Sequence, residues 1–135
     1  VKRAATLFTD IIPTEHEEQS AVVQWARAKA NRYPSLRWLY ANVNGQNKTI
    51  KERSYFKAEG LTSGVCDLFL PDPRGSFCGL YIEMKRRRGG KISPEQDEFI
   101  KWAIGRGYAV RVAFGADQGI EFLEEYLRLS ARVNS

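Results

Sequence analysis

Two apolar runs in the second half of the chain, "GLYIEMKR" (79–86) and "YAVRVAF" (108–114), enclose a stretch that carries the marks of a helix. Both runs are short and carry the aromatic and β-branched residues that strands favour. Between them, "SPEQDEFIKWAIGR" opens on Ser93 with Pro94 at the first helical position, and Phe99, Ile100 and Ala103 recur at helical spacing. A strand, a helix and a second strand in that order imply a crossover, so part of the sheet is parallel.

The other elements follow from the same signals. "VCDLFLP" (65–71) is a third strand candidate, joined to 79–86 by the turn-forming "DPRGSF". "LRWLYANV" (36–43) reads as a fourth, ending at Asn44-Gly45. A helix is predicted from Thr14, its N-cap, to about Asn31, with Glu15, Glu17 and Glu18 in the first turn and Val22, Trp25 and Ala26 as its apolar stripe. Residues 44–64 are polar and basic, a loop with room for one short helix, and 117–133 close the chain as an amphipathic helix. The order is α-β-β-β-α-β-α: one α/β domain with a mixed sheet flanked by helices. It is expected to span 14–130, with 1–13 an N-terminal extension and 131–135 a tail.

A chain of 135 residues suits one hydrophobic core. Its net charge of +5 and pI near 9.4 favour an acidic partner such as nucleic acid. Two cysteines, Cys66 and Cys78, and one histidine, His16, provide no C-x-x-C or paired-histidine spacing, which argues against zinc. With no secretory signature and no apolar span, the thiols are read as reduced and the protein as intracellular, away from membranes. His16 reads as a surface residue, and Trp25, Trp38 and Trp102 as core.

The chemistry concentrates at Glu83 and Lys85. Along a strand, Leu80, Ile82 and Met84 share one face, and Tyr81, Glu83 and Lys85 share the other. Glu83 and Lys85 therefore project together, with Cα atoms ~7 Å apart. If 65–71 and 79–86 pair as a hairpin, Asp67 approaches Glu83. Two converging carboxylates repel unless a cation lies between them, and oxygen ligands of this kind suit Mg²⁺. Lys85 would then orient or deprotonate an attacking water, or steady the charge on a phosphate. The plainer alternative is a solvated strand face carrying a surface ion pair.

Taken in order, "TEHEEQSAVVQWA", "YPSLRWLYANVNG", "KAEGLTSGVCDLFL", "GLYIEMKR", "SPEQDEFI" and "GYAVRVAFG" resemble the virus-type replication-repair nuclease (VRR-NUC) family of the PD-(D/E)xK superfamily, from about residue 14 to 127. The resemblance implies DNA cleavage with Mg²⁺ or Mn²⁺. It assigns Asp67 and Glu83 to the metal, Lys85 to catalysis and Gln96 to support. A first-helix glutamate completes the set, and Glu15 and Glu18 both qualify, with Glu15 slightly favoured as the metal ligand. Cys66 stands where the superfamily motif has proline. Gln96 has a second reading, as the last residue of a capping box begun by Ser93.

Arg86, Arg87, Arg88 and Lys91 follow the strand, and Lys48, Lys51, Arg53 and Lys57 lie in the long loop; both groups are candidate DNA contacts. Asn44, Gly45 and Gln46 suit a turn as well as they suit DNA, and Gly64 suits a close backbone approach. Small stand-alone members of the family resemble Holliday-junction resolvases, which act on branched DNA as homodimers. An interface could come from "LFTDII" (7–12), or from Phe122, Leu123, Tyr126 and Leu127, if that helix does not simply pack on the sheet. The alternatives are a flap- or single-strand-specific repair nuclease and a catalytically silent junction-binding module. The family suits the cytoplasm or nucleoid of a bacterial host, with a phage or prophage gene as one origin.

Overall fold

In the computed structural model, which describes residues 11–42 and 49–133, the expected crossover is present. Strand β3 (Leu80–Lys85) runs parallel to β4 (Ala109–Phe114), and helix α3 (Pro94–Gly105) connects them. On its other side β3 pairs antiparallel with β2 (Leu68–Leu70), which pairs antiparallel with the short edge strand β1 (Tyr40–Ala41). The sheet order is β1-β2-β3-β4.

Helix α1 (Glu15–Lys29) starts at Thr14 with a capping box: the Glu17 N–H donates to Thr14 Oγ1, and the Thr14 N–H donates to the Glu17 carboxylate. Its buried residues Val22 and Ala26 pack on one face of the sheet with α4 (Ala116–Leu127), which contributes Leu123, Tyr126 and Leu127. Leu68, Leu70, Leu80, Ile82 and Met84 meet them from the strands. On the opposite face α3 covers a smaller cluster in which Phe99, Ile100 and Ala103 meet Cys66, Tyr81, Tyr108 and Val110. Helix α2 (Ile50–Ala58) fills part of the long loop and buries none of its residues fully.

Three expectations are corrected. Residues 36–38 are not strand: Pro34–Trp38 form a 3₁₀ helix, leaving only Tyr40–Ala41 as β1. Pro34 fixes a turn-compatible φ at its start. The Arg27 guanidinium then donates to the carbonyls of Leu36, Arg37 and Leu39, holding the turn against α1. The closing helix ends at Leu127 rather than near Val133, because Arg74 takes the carbonyls of Leu127 and Leu129 and the chain then pairs at Ala131 with Arg74. Trp25 packs against the core, but Trp38 and Trp102 are 60% and 54% exposed. Their rings lie beneath the guanidinium groups of Arg37 and Arg106.

Candidate active site

The β2–β3 register pairs Leu68 with Ile82, and one step further along brings Asp67 level with Glu83. Asp67 is pinned from two directions, by Met84 and by Asn42. Its Oδ2 accepts the Met84 N–H at 2.8 Å, continuing the ladder with a side chain where β2 has ended. Its carbonyl accepts the Asn42 N–H at 2.8 Å, and the Asn42 carboxamide donates to the Cys66 carbonyl at 2.7 Å. Asn42 thus positions the acid from the end of β1. Before the fold is known its only signal is an asparagine at a strand end, which turn chemistry explains equally well.

Glu15 supplies the third acid: ligand oxygens of Glu15, Asp67 and Glu83 all lie within 4.8 Å of one another. Glu18, one turn on, goes elsewhere. It is 3% exposed and accepts from Arg87, Nε to Oε2 at 2.9 Å and the terminal nitrogen to Oε1 at 3.4 Å. Gly115, at φ +99°, closes over this pair; a Cβ there would stand 2.8 Å from Glu18 Oε2 and 2.9 Å from Arg87 Cγ.

Glu83 is completely buried. Burial and the neighbouring Asp67 push its carboxyl up to about 8, with Lys85 opposing them. Glu15 is also raised, first by burial and then by Asp67. Burial, with Glu83 and Asp67 beside it, pushes the Cys66 thiol up to about 12, so the sulfur stays protonated and is a poor metal ligand.

Gln96 joins the acids to the lysine. Its amide nitrogen donates to Glu83 Oε2 at 2.9 Å, and its carbonyl oxygen accepts from Lys85 Nζ at 2.9 Å. The same oxygen accepts the Ser93 N–H at 2.9 Å, while Ser93 Oγ caps the Gln96 N–H at 3.2 Å. The capping box and the support of Glu83 and Lys85 are therefore one arrangement. Lys85 Nζ also lies 3.4 Å from Glu83 Oε2. Gly64, at φ +89°, lets this half of the site close: a Cβ there would be 2.5 Å from the Glu95 carbonyl oxygen in the first turn of α3.

Three carboxylates fit a hard divalent cation, and the structure offers a specific reason to place one there. Glu83 Oε1 is buried and has no hydrogen-bond partner among the described residues. An unpaired buried carboxylate oxygen is costly, and a cation held with Glu15 and Asp67 would satisfy it.

The VRR-NUC domain family profile matches residues 2–117. The chain belongs to the VRR-NUC family. A solved structure of a VRR_NUC domain protein is similar to it with a TM-score of 0.74 and 29% identity, over 87% of this chain and 91% of that one. Comparison with curated proteins finds no match. This chain is a nuclease domain, with an α/β fold consistent with the PD-(D/E)xK type.

Around the acids, the VRR-NUC domain presents two basic regions. Arg86, Arg87, Arg88 and Lys91 are exposed just beyond β3, and Arg87, half accessible, also reaches Glu18. Lys51, Arg53 and Lys57 are exposed on α2; Lys48, with Asn44, Gly45 and Gln46, lies outside the described residues. His16 is exposed. Leu123, Tyr126 and Leu127 are buried and Phe122 packs against the core, so this helix face is not available as an interface. Of "LFTDII", residues 7–10 lie outside the described residues. No helix of the described residues is long and apolar enough to cross a membrane.

Proposed function

We propose that this domain is a Mg²⁺- or Mn²⁺-dependent, structure-specific DNA endonuclease that acts as a homodimer to resolve four-way junctions. The observation that carries the metal-dependent chemistry is the convergence of Glu15, Asp67 and Glu83 within 4.8 Å, with Glu83 Oε1 buried and unpartnered. A cation held by these acids would polarise a phosphate oxygen and acidify a water. The residues of the chain do the rest. Asp67, tethered through Asn42 and Met84, keeps its position on the rigid sheet. Gln96 holds the Lys85 ammonium and the Glu83 carboxylate in fixed relation, and Lys85 stabilises negative charge that develops on the cleaved phosphate.

Junction preference is supported by the kind of DNA contacts on offer and by symmetry. The candidate contacts Arg86, Arg88, Lys91, Lys51, Arg53 and Lys57 are exposed cations suited to backbone phosphates, which favours recognition of DNA shape. One active site per chain and two symmetric nicks per junction call for a two-fold dimer. The test is cleavage of a synthetic four-way junction against linear duplex and flap, with and without Mg²⁺ or Mn²⁺, alongside size measurement in solution. Paired symmetric nicks that disappear in Asp67→Ala are expected. Preference for plain duplex or flap would refute junction resolution, and tight junction binding without cleavage would leave a silent binding module.

A further inference from the structure

A cleft of about 250 Å³ opens between α2 and the segment entering β2, lined by Asn42, Phe56, Glu59, Leu61, Thr62 and Val65. It abuts the acids without sharing them. Asn42 on its wall is bonded through its N–H to the carbonyl of Asp67, and Val65 lies two residues before Asp67. Its volume suits one flat ring better than an extended ligand.

The described lining of the cleft is poorly suited to phosphate. Among the described residues no lysine or arginine lines it, and Glu59 places a carboxylate on its wall. The Asn42 carboxamide donates to the Cys66 carbonyl and the Thr62 hydroxyl to the Gly60 carbonyl. What these two side chains still offer is therefore mainly acceptor oxygens. Acceptors beside an aromatic and aliphatic wall suit the amino and imino N–H groups of a nucleobase. Cations for the backbone stand just outside, with Arg53 and Lys57 exposed one turn apart on α2.

We infer that this cleft receives the base of an unpaired nucleotide adjacent to the phosphate that is cut. The inference rests on the nuclease reading above and narrows its substrate to DNA that can splay a base at a branch, flap or bulge. Lifting a base from a stacked duplex costs a few kcal/mol, whereas one already unpaired is free to enter. The cleft would thus select structure without reading sequence.

The test places a single abasic residue at each position flanking the nick, one at a time, in a synthetic four-way junction and a flap duplex. Loss of a base–aromatic contact predicts a fall in kcat/KM of about tenfold at one flanking position. Phe56→Ala should show a similar fall on intact DNA and no further fall on the abasic substrate; Thr62→Val should show the same pattern more weakly. Wild-type protein that nicks every abasic substrate as well as intact DNA overturns the inference, and so do losses that multiply in Phe56→Ala. Because the abasic comparison uses wild-type protein, misfolding of a variant leaves it intact. If nothing is nicked with either ion, the nuclease reading fails separately. Binding anisotropy on the same DNA set then still decides the cleft, and equal affinity for intact and abasic DNA overturns it.

Discussion

Two buried acid sites lie one helical turn apart on α1, and they are built in opposite ways. At Glu18 the carboxylate meets the Arg87 guanidinium in a two-point contact sealed by Gly115, so its charge is matched within the protein. At Glu15, Asp67 and Glu83, three carboxylates face one lysine, one oxygen has no partner, and Glu15 and Glu83 are both pushed upward by burial and by Asp67. A fold has no reason to maintain an excess of buried negative charge except to hold something positive. The matched site holds elements together; the unmatched one is the candidate for chemistry.

The strongest way to break this contrast is to treat the two sites alike. Asp67→Asn should lower single-turnover cleavage by about 10³-fold, as expected for several kcal/mol of lost charge stabilisation, and should abolish Mn²⁺ binding by calorimetry. Glu18→Gln should leave Mn²⁺ affinity essentially unchanged. If both substitutions weaken metal binding equally, Glu18 belongs to the metal site after all.

The next effect is on stability against pH in metal-free protein. Glu83 titrates near 4.5 when unfolded and at about 8 when folded. Between those values the folded state binds the extra proton, so stability falls as pH rises through this window. A drop in Tm of about 5 °C between pH 5 and pH 8 is expected. Glu83→Gln should flatten the slope, and so should Mg²⁺, which supplies the missing positive charge. An unchanged slope in Glu83→Gln would remove Glu83 as its source.

The smallest effect concerns the matched site. Glu18→Gln keeps the shape and loses the charge, and should cost about 1 kcal/mol in urea unfolding. Arg87→Gln should add little beyond it, since the two act as one unit. Additive losses would mean that Arg87 is held by Asp117, 4.0 Å away, or by solvent instead.

Much of the site was legible before the fold. The alternation of Leu80, Ile82 and Met84 against Glu83 and Lys85 specifies which face each takes, and the parallel crossover follows from a helix lying between two strand runs. Other parts were not legible, for physical reasons. "LRWLYANV" has strand composition, yet three carbonyls captured by Arg27 from another element turn its first half into a 3₁₀ helix. Trp38 and Trp102 read as core because large apolar rings usually are, and only the packing directions of the 3₁₀ turn and α3 leave them outside. Gln96 invited a choice between cap and site that the structure does not require, because one carbonyl oxygen accepts from both Ser93 and Lys85.

Local pattern alone determined the order of the strands and of every α-helix but α2, the polar face of β3 and the residue types available for metal and phosphate chemistry. These depend on periodicity and side-chain chemistry, which are properties of short segments. Only the tertiary structure set Glu15 rather than Glu18 beside Asp67 and Glu83, recruited Asn42 to hold Asp67, and brought the half-exposed Arg87 onto Glu18. Those outcomes depend on what a distant segment places opposite each side chain. Residues three apart on one helix look equivalent until the two central strands and the turn after β3 present carboxylates to one and a guanidinium to the other.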